Sequence, residues 1–125
     1  MKKRVLLVDN HPDTIDVICL ELGFLGYDVI VATNGAEAVE KAGSELPDII
    51  VMDIRLPRMD GFEAMRRIHG NAKTRSIPLL AATTMAMRGD KQKCLAAGFN
   101  GYIAKPFTHI ELGAVLKDLL TDRAD

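Results

Sequence analysis

Three short apolar runs that each give way to a charged residue constrain this chain most. Val5-Leu6-Leu7-Val8 runs into Asp9-Asn10, Ile49-Ile50-Val51-Met52 into Asp53, and Tyr102-Ile103-Ala104 into Lys105-Pro106. Apolar runs without polar alternation are the pattern of strands covered by helices on both faces of a parallel sheet. Right-handed crossovers place the carboxyl ends of such strands on one rim, where ligands and chemistry gather in open α/β sheets. The sequence thus predicts a rim carrying Asp9, Asn10, Asp53, Thr83 and Lys105, with two carboxylates facing a lysine. A pocket of that kind can hold a divalent cation and a phosphoryl group together.

The intervening segments support the sheet. Strand patterns cover 4–8, 27–31, 49–52, 77–82 and 101–104. Helical spacing covers 13–25, where Ile15, Ile18, Leu22 and Leu25 recur, then 36–43, 61–69, 87–97, and a last helix carrying Ile110, Leu112, Val115, Leu116, Leu119 and Leu120. Pro12 suits a first helical turn, and Gly26 and Gly98 suit helix ends. Asn34-Gly35 and Asp60-Gly61 open helices, and Thr108 caps the last one. Five β/α units without a long polar linker predict a doubly wound α/β domain.

Composition narrows the function classes. At 125 residues the chain is long enough for one core and too short for two, and a formal net charge of −1 gives no electrostatic case for binding nucleic acid. The basic start Met1-Lys2-Lys3-Arg4 is followed by an apolar run broken at Asp9, which is no secretory signal. No apolar stretch approaches the roughly 20 residues that span a bilayer, so a cytoplasmic location without membrane contact is expected. Cys19 and Cys94 lack any metal-binding spacing and read as reduced, buried thiols. His11, His69 and His109 show no ligand spacing and receive no chemical role.

Four motifs in order, Val8-Asp9-Asn10, Met52-Asp53 through Pro57 and Asp60-Gly61, Ala82-Thr83-Thr84, and Gly101-Tyr102-Ile103-Ala104-Lys105-Pro106-Phe107, resemble the receiver domain of two-component response regulators, in its single-domain, chemotaxis-regulator-like form. The resemblance extends over residues 1–125 and implies a doubly wound (βα)5 fold with a five-stranded parallel sheet in the flavodoxin-like order 2-1-3-4-5. It also implies one receiver domain with no output domain in the chain.

By that resemblance Asp53 is the phosphoacceptor, receiving its phosphoryl group from a histidine kinase or a histidine phosphotransfer domain. Magnesium would be held by Asp9, Asn10, Asp53 and the backbone carbonyl of Arg55, with Asp9 acting through a water. Lys105 and Thr83 would contact phosphoryl oxygens, the Lys105-Pro106 bond would be cis, and Thr83 and Tyr102 would form the switch. The output would be a protein target bound on the face of the fourth helix, fifth strand and fifth helix, including Met87 and Tyr102. Such a protein catalyses at most its own phosphorylation and dephosphorylation.

Taken singly, each residue has a plainer reading. An Asp after an apolar strand often caps a turn, Lys105 could be a solvated surface lysine, Thr83 could merely end a strand, and Tyr102 could be a core aromatic with a wet hydroxyl. Asn10 is a departure, since the family places a second acidic residue there; weaker magnesium binding and an Asp53 that ionises more readily are expected. Arg55 and Met85, two positions after Asp53 and Thr83, fall where related domains tune loss of the phosphoryl group. Two alternatives follow: a phosphorylation-independent interaction module with the receiver fold, and a flavodoxin-like flavin carrier or phosphatase. The second needs a phosphate-cradling loop after the first strand, where Asp9-Asn10-His11-Pro12 offers a carboxylate instead of glycines.

Overall fold

The computed structural model describes residues 2–84 and 89–122. Strands and helices alternate as β1 Arg4–Val8, α1 Pro12–Phe24, β2 Asp28–Ala32, α2 Gly35–Glu45, β3 Ile49–Met52, α3 Gly61–Gly70, β4 Leu79–Thr83, α4 Asp90–Ala97, β5 Gly101–Ala104 and α5 His109–Asp122. All strand pairs are parallel, in the order β2-β1-β3-β4-β5. The chain reverses its direction of winding between β1 and β3, which makes that rim the place where a crevice opens.

Alternation along each strand divides the core into two. Leu6, Val8, Ile50, Met52, Leu79 and Ala81 face α2, α3 and α4, packing with Ala38, Ala42, Met65, Ile68 and Cys94. Val5, Leu7, Ile49, Val51, Leu80 and Ala82 face α1 and α5, packing with Ile18, Leu22, Leu112 and Leu116. Both faces of β1, β3 and β4 are therefore buried, the physical reason for their unbroken apolar runs.

Element boundaries differ from the sequence pattern for local reasons. Pro78 has no N–H for the ladder, so β4 starts at Leu79, while the Pro78 carbonyl still accepts the Ile50 N–H at 3.0 Å. Tyr27 belongs to the turn closing α1, its N–H donating to the Leu22 carbonyl, and Gly26 there has φ +89°. Helix α2 passes through Gly43 and ends at Leu46, which takes a left-handed φ of 48° ahead of Pro47. Asn34 and Asp60 cap α2 and α3, each side-chain oxygen accepting the N–H three residues on. Thr108 and Glu111 form a reciprocal capping box at the start of α5. Gly98 ends α4 with φ +129°. The expected start of that helix at Met87 lies outside the described residues, as does Met85. Of the two cysteines, Cys94 is buried but Cys19 only partly so, because it sits toward the edge of the α1 packing face; burial pushes both thiols up.

Candidate functional site

Register brings the rim together. Val8 pairs with Met52 across β1 and β3, so Asp9 and Asp53 leave the sheet side by side. The Asp53 N–H donates to the Val8 carbonyl at 2.9 Å, continuing the ladder one residue beyond the strand. Thr83 pairs with Ala104, and the Lys105 N–H donates to the Thr83 carbonyl at 2.9 Å, which fixes the lysine backbone against β4. The Lys105-Pro106 peptide is cis.

The side chains converge as the backbone dictates. Lys105 Nζ lies 2.5 Å from Asp9 Oδ2 and 3.5 Å from Asp53 Oδ2. Asp9 is 1% exposed and Asp53 7%, so these are charges in a largely water-excluded cleft, where unpaired ions are costly. The second oxygen of each carboxylate is held by main chain: Asp9 Oδ1 accepts the His11 N–H at 2.9 Å and Asp53 Oδ1 the Arg55 N–H at 3.0 Å. Both carboxylates thus present one oxygen to the cation and anchor the other. Such anchoring fixes rotamers before any ligand arrives.

The remaining expected residues fall around this centre. Thr83 is fully buried at the end of β4, whereas Thr84 is exposed. Arg55 meets the site through its backbone, with its side chain toward solvent. Asn10 follows Asp9, and its Oδ1 is the one buried side-chain oxygen or nitrogen among the described residues without a hydrogen-bond partner. Tyr102 lies on β5 in register with Ala81 of β4. It is half-buried, packs against the α2, α3 and α4 side of the core, and has its phenol pushed up by burial and, secondarily, by Asp90 and Cys94. A groove of about 400 Å³, lined by Val17, Ile18, Thr84, Lys105 and Phe107 among others, opens beside the lysine.

Two residues at the site were assigned no part in it by sequence. His11 lies with Asp9 and Asp53 in a group whose ligand atoms are all within 4.8 Å of one another, its Nδ1 being 3.4 Å from Asp9 Oδ1. The pattern Asp-x-His is too common to signal this. Gly61, read as a turn residue, packs under the phosphoacceptor candidate: a Cβ there would meet the Asp53 carbonyl at 2.7 Å and Ile54 Cα at 2.8 Å. Only a glycine lets the start of α3 approach the β3 exit that closely.

A divalent oxygen-seeking cation fits this donor set. A buried amide oxygen without a partner on the residue that follows Asp9, together with two carboxylates whose ligand oxygens lie within 4.8 Å of each other, is a donor set that such a cation satisfies.

Residues 5–117 match the response regulator receiver domain family. The chain is 32% identical to the polar-differentiation response regulator DivK of Brucella anthropi, over 98% of this chain and 99% of DivK. It is 36% identical to the alkaline phosphatase synthesis transcriptional regulatory protein PhoP of Bacillus subtilis, covering 96% of this chain but 49% of PhoP. The chain therefore spans about half the length of that regulator. Among solved structures, the receiver domain of the sensor histidine kinase PA1611 from Pseudomonas aeruginosa superposes with a TM-score of 0.90 at 39% identity, covering 97% of this chain and 99% of that one; its structure has a magnesium ion coordinated in the active site cleft. Among the described residues, no helix is long and apolar enough to cross a membrane. With its five parallel strands in the order 2-1-3-4-5 and two carboxylates and a lysine on one rim, the chain belongs to the response regulator receiver domain family of two-component systems.

Proposed function

We propose that this receiver domain accepts a phosphoryl group on Asp53 from the phosphohistidine of a kinase or phosphotransfer partner and signals through protein contacts. The observation that carries the reading is the Lys105 ammonium lying between the buried Asp9 and Asp53 carboxylates. An Asp53 oxygen attacks phosphorus, the bond from phosphorus to the partner's imidazole nitrogen breaks with its electron pair going to nitrogen, and an acyl phosphate results. Lys105 and the Thr83 hydroxyl neutralise and orient the transferred oxygens. Asp9, Asn10, Asp53 and the Arg55 carbonyl would hold Mg2+, which when bound supplies charge neutralisation for the incoming phosphoryl group.

Anchoring of Asp53 Oδ1 by the Arg55 N–H supports this assignment, since it leaves Oδ2 as the oxygen facing the ammonium and the attacking atom. The switch is Thr83 with Tyr102: drawing the threonine toward a phosphoryl group frees space next to β4, and the half-buried tyrosine on the adjacent strand has room to turn inward. The protein target would bind the face of α4, β5 and α5, in the cytoplasm.

Treatment with acetyl phosphate and magnesium tests the first step. Intact mass should rise by one phosphoryl group, and Asp53→Asn should abolish the increment; labelling that survives the substitution moves the acceptor elsewhere. In Thr83→Ala, phosphorylation should persist while the amide shifts in α4 and β5 shrink. Full-sized shifts in that variant would remove Thr83 from the path.

A further inference from the structure

His11 adds a nitrogen to a site otherwise made of oxygens. One nitrogen of its ring, one Asp9 oxygen and one Asp53 oxygen lie within 4.8 Å of one another. Between Asp9 Oδ1 and His11 Nδ1 the distance is 3.4 Å. Two donors at about 2.1 Å from one metal, at tetrahedral or octahedral angles, stand about 3.0 to 3.4 Å apart. One edge already has chelating length. The ring is mostly exposed at the mouth of the cleft, so small rotations that complete the triangle meet little packing resistance. Independently, the residue between the two donors carries the orphaned buried oxygen, Asn10 Oδ1.

We propose that this cleft binds a borderline transition metal of the Co2+ and Zn2+ class, with His11 Nδ1 as a ligand beside the Asp9 and Asp53 carboxylates. The inference rests on the reading of those two carboxylates as a cation site. Magnesium favours oxygen and keeps its waters, so it gains little from an imidazole. Zinc and cobalt bind imidazole well and lie above magnesium in affinity for mixed nitrogen and oxygen sites. Replacing the expected acidic residue by Asn10 leaves a site with less charge to hold a hard cation, while His11 contributes a donor that only the softer metals use. The same cleft therefore discriminates metals through one side chain, and Zn2+ competes with Mg2+ for its carboxylates.

The test uses the whole unphosphorylated chain and the metals alone. Co2+ titration followed by visible absorption, with Zn2+ and Mg2+ as competitors, gives relative affinities for the unchanged protein, His11→Ala and Asp9→Asn. The unchanged protein should bind Co2+ and Zn2+ at least tenfold more tightly than Mg2+. His11→Ala should weaken both by tenfold or more yet change Mg2+ affinity less than twofold. Asp9→Asn should weaken all three. Equal loss of Mg2+ and Zn2+ in His11→Ala would show that the histidine acts only by positioning Asp9, and an unchanged Co2+ spectrum in that variant would show no nitrogen ligand; either outcome overturns the proposal alone. A thiolate charge-transfer band would place cobalt at a cysteine and also overturn it. Failure of the unchanged protein to bind any of the three metals would instead overturn the cation-site reading beneath it.

Discussion

Lys105 and Asp9 stand 96 residues apart in the chain, yet the lysine ammonium lies 2.5 Å from the aspartate carboxylate. The same ammonium is 3.5 Å from Asp53. One cation thus holds two carboxylates that would otherwise repel each other in a site nearly closed to water.

Removing that cation should expose the repulsion. In Lys105→Met, two mostly buried carboxylates lose their counter-charge, a change that costs about 3 kcal/mol or more when one partner of a buried pair is removed. Magnesium then becomes the available counter-ion, so adding it should raise the melting temperature of Lys105→Met more than that of the unchanged protein. Thermal melts with magnesium and with a chelator compare the two. Equal metal-dependent increments would show that lysine and metal do not share the carboxylates.

Gly61→Ala tests the packing beneath Asp53. The added methyl would meet backbone atoms at 2.7 and 2.8 Å, and neither can swing aside as a flexible side chain could. Overpacking of this kind costs about 1 to 3 kcal/mol. Since one of the atoms is the Asp53 carbonyl, the variant should also phosphorylate more slowly than its stability loss explains, measured by the rate with acetyl phosphate at a temperature where it is fully folded.

Asn10→Asp adds a charge next to the orphaned oxygen position. A further anionic ligand at a partly screened site contributes on the order of 1 to a few kcal/mol toward a divalent cation, roughly tenfold or more in affinity. Magnesium should bind more tightly and phosphorylation should reach half its maximal rate at lower magnesium. Titration of rate against magnesium for both proteins checks this, and superimposable curves would place Asn10 outside the metal shell.

Acid should loosen the start of α2. Glu37 accepts the Thr33 N–H at 2.6 Å, and this bond, assisted by Lys41, holds its carboxyl below the usual carboxylate range despite an opposing effect of burial. Because the folded pKa lies below the unfolded one, the carboxylate contributes stability above the ordinary glutamate value of about 4.3, and that contribution is lost as pH falls through the depressed folded pKa. Glu37→Gln should therefore lower the melting temperature at pH 7, and the difference from the unchanged protein should shrink on acidification below pH 4. A difference that stays constant from pH 7 to pH 3 would assign the effect to packing.

The alternation of apolar runs with helical segments was legible in the sequence because a strand buried on both faces must be apolar throughout, and Val5 to Val8 and Ile49 to Met52 are. The convergence of Asp9, Asp53 and Lys105 was legible for a related reason: parallel strands joined by right-handed crossovers leave their carboxyl ends on one rim. The caps Asn34, Asp60 and Thr108 were readable too, since their hydrogen bonds reach only three residues along the chain. Contacts between distant segments were not. The lysine ammonium between two particular oxygens depends on the registers of β1, β3, β4 and β5 together, and no local pattern encodes a register. Gly61 looks like any turn glycine until the start of α3 is seen against the Asp53 carbonyl. His11 carries no signal in its spacing, because its neighbour Asp53 comes from another strand 42 positions along the chain, and only folding brings that carboxylate within reach of its ring.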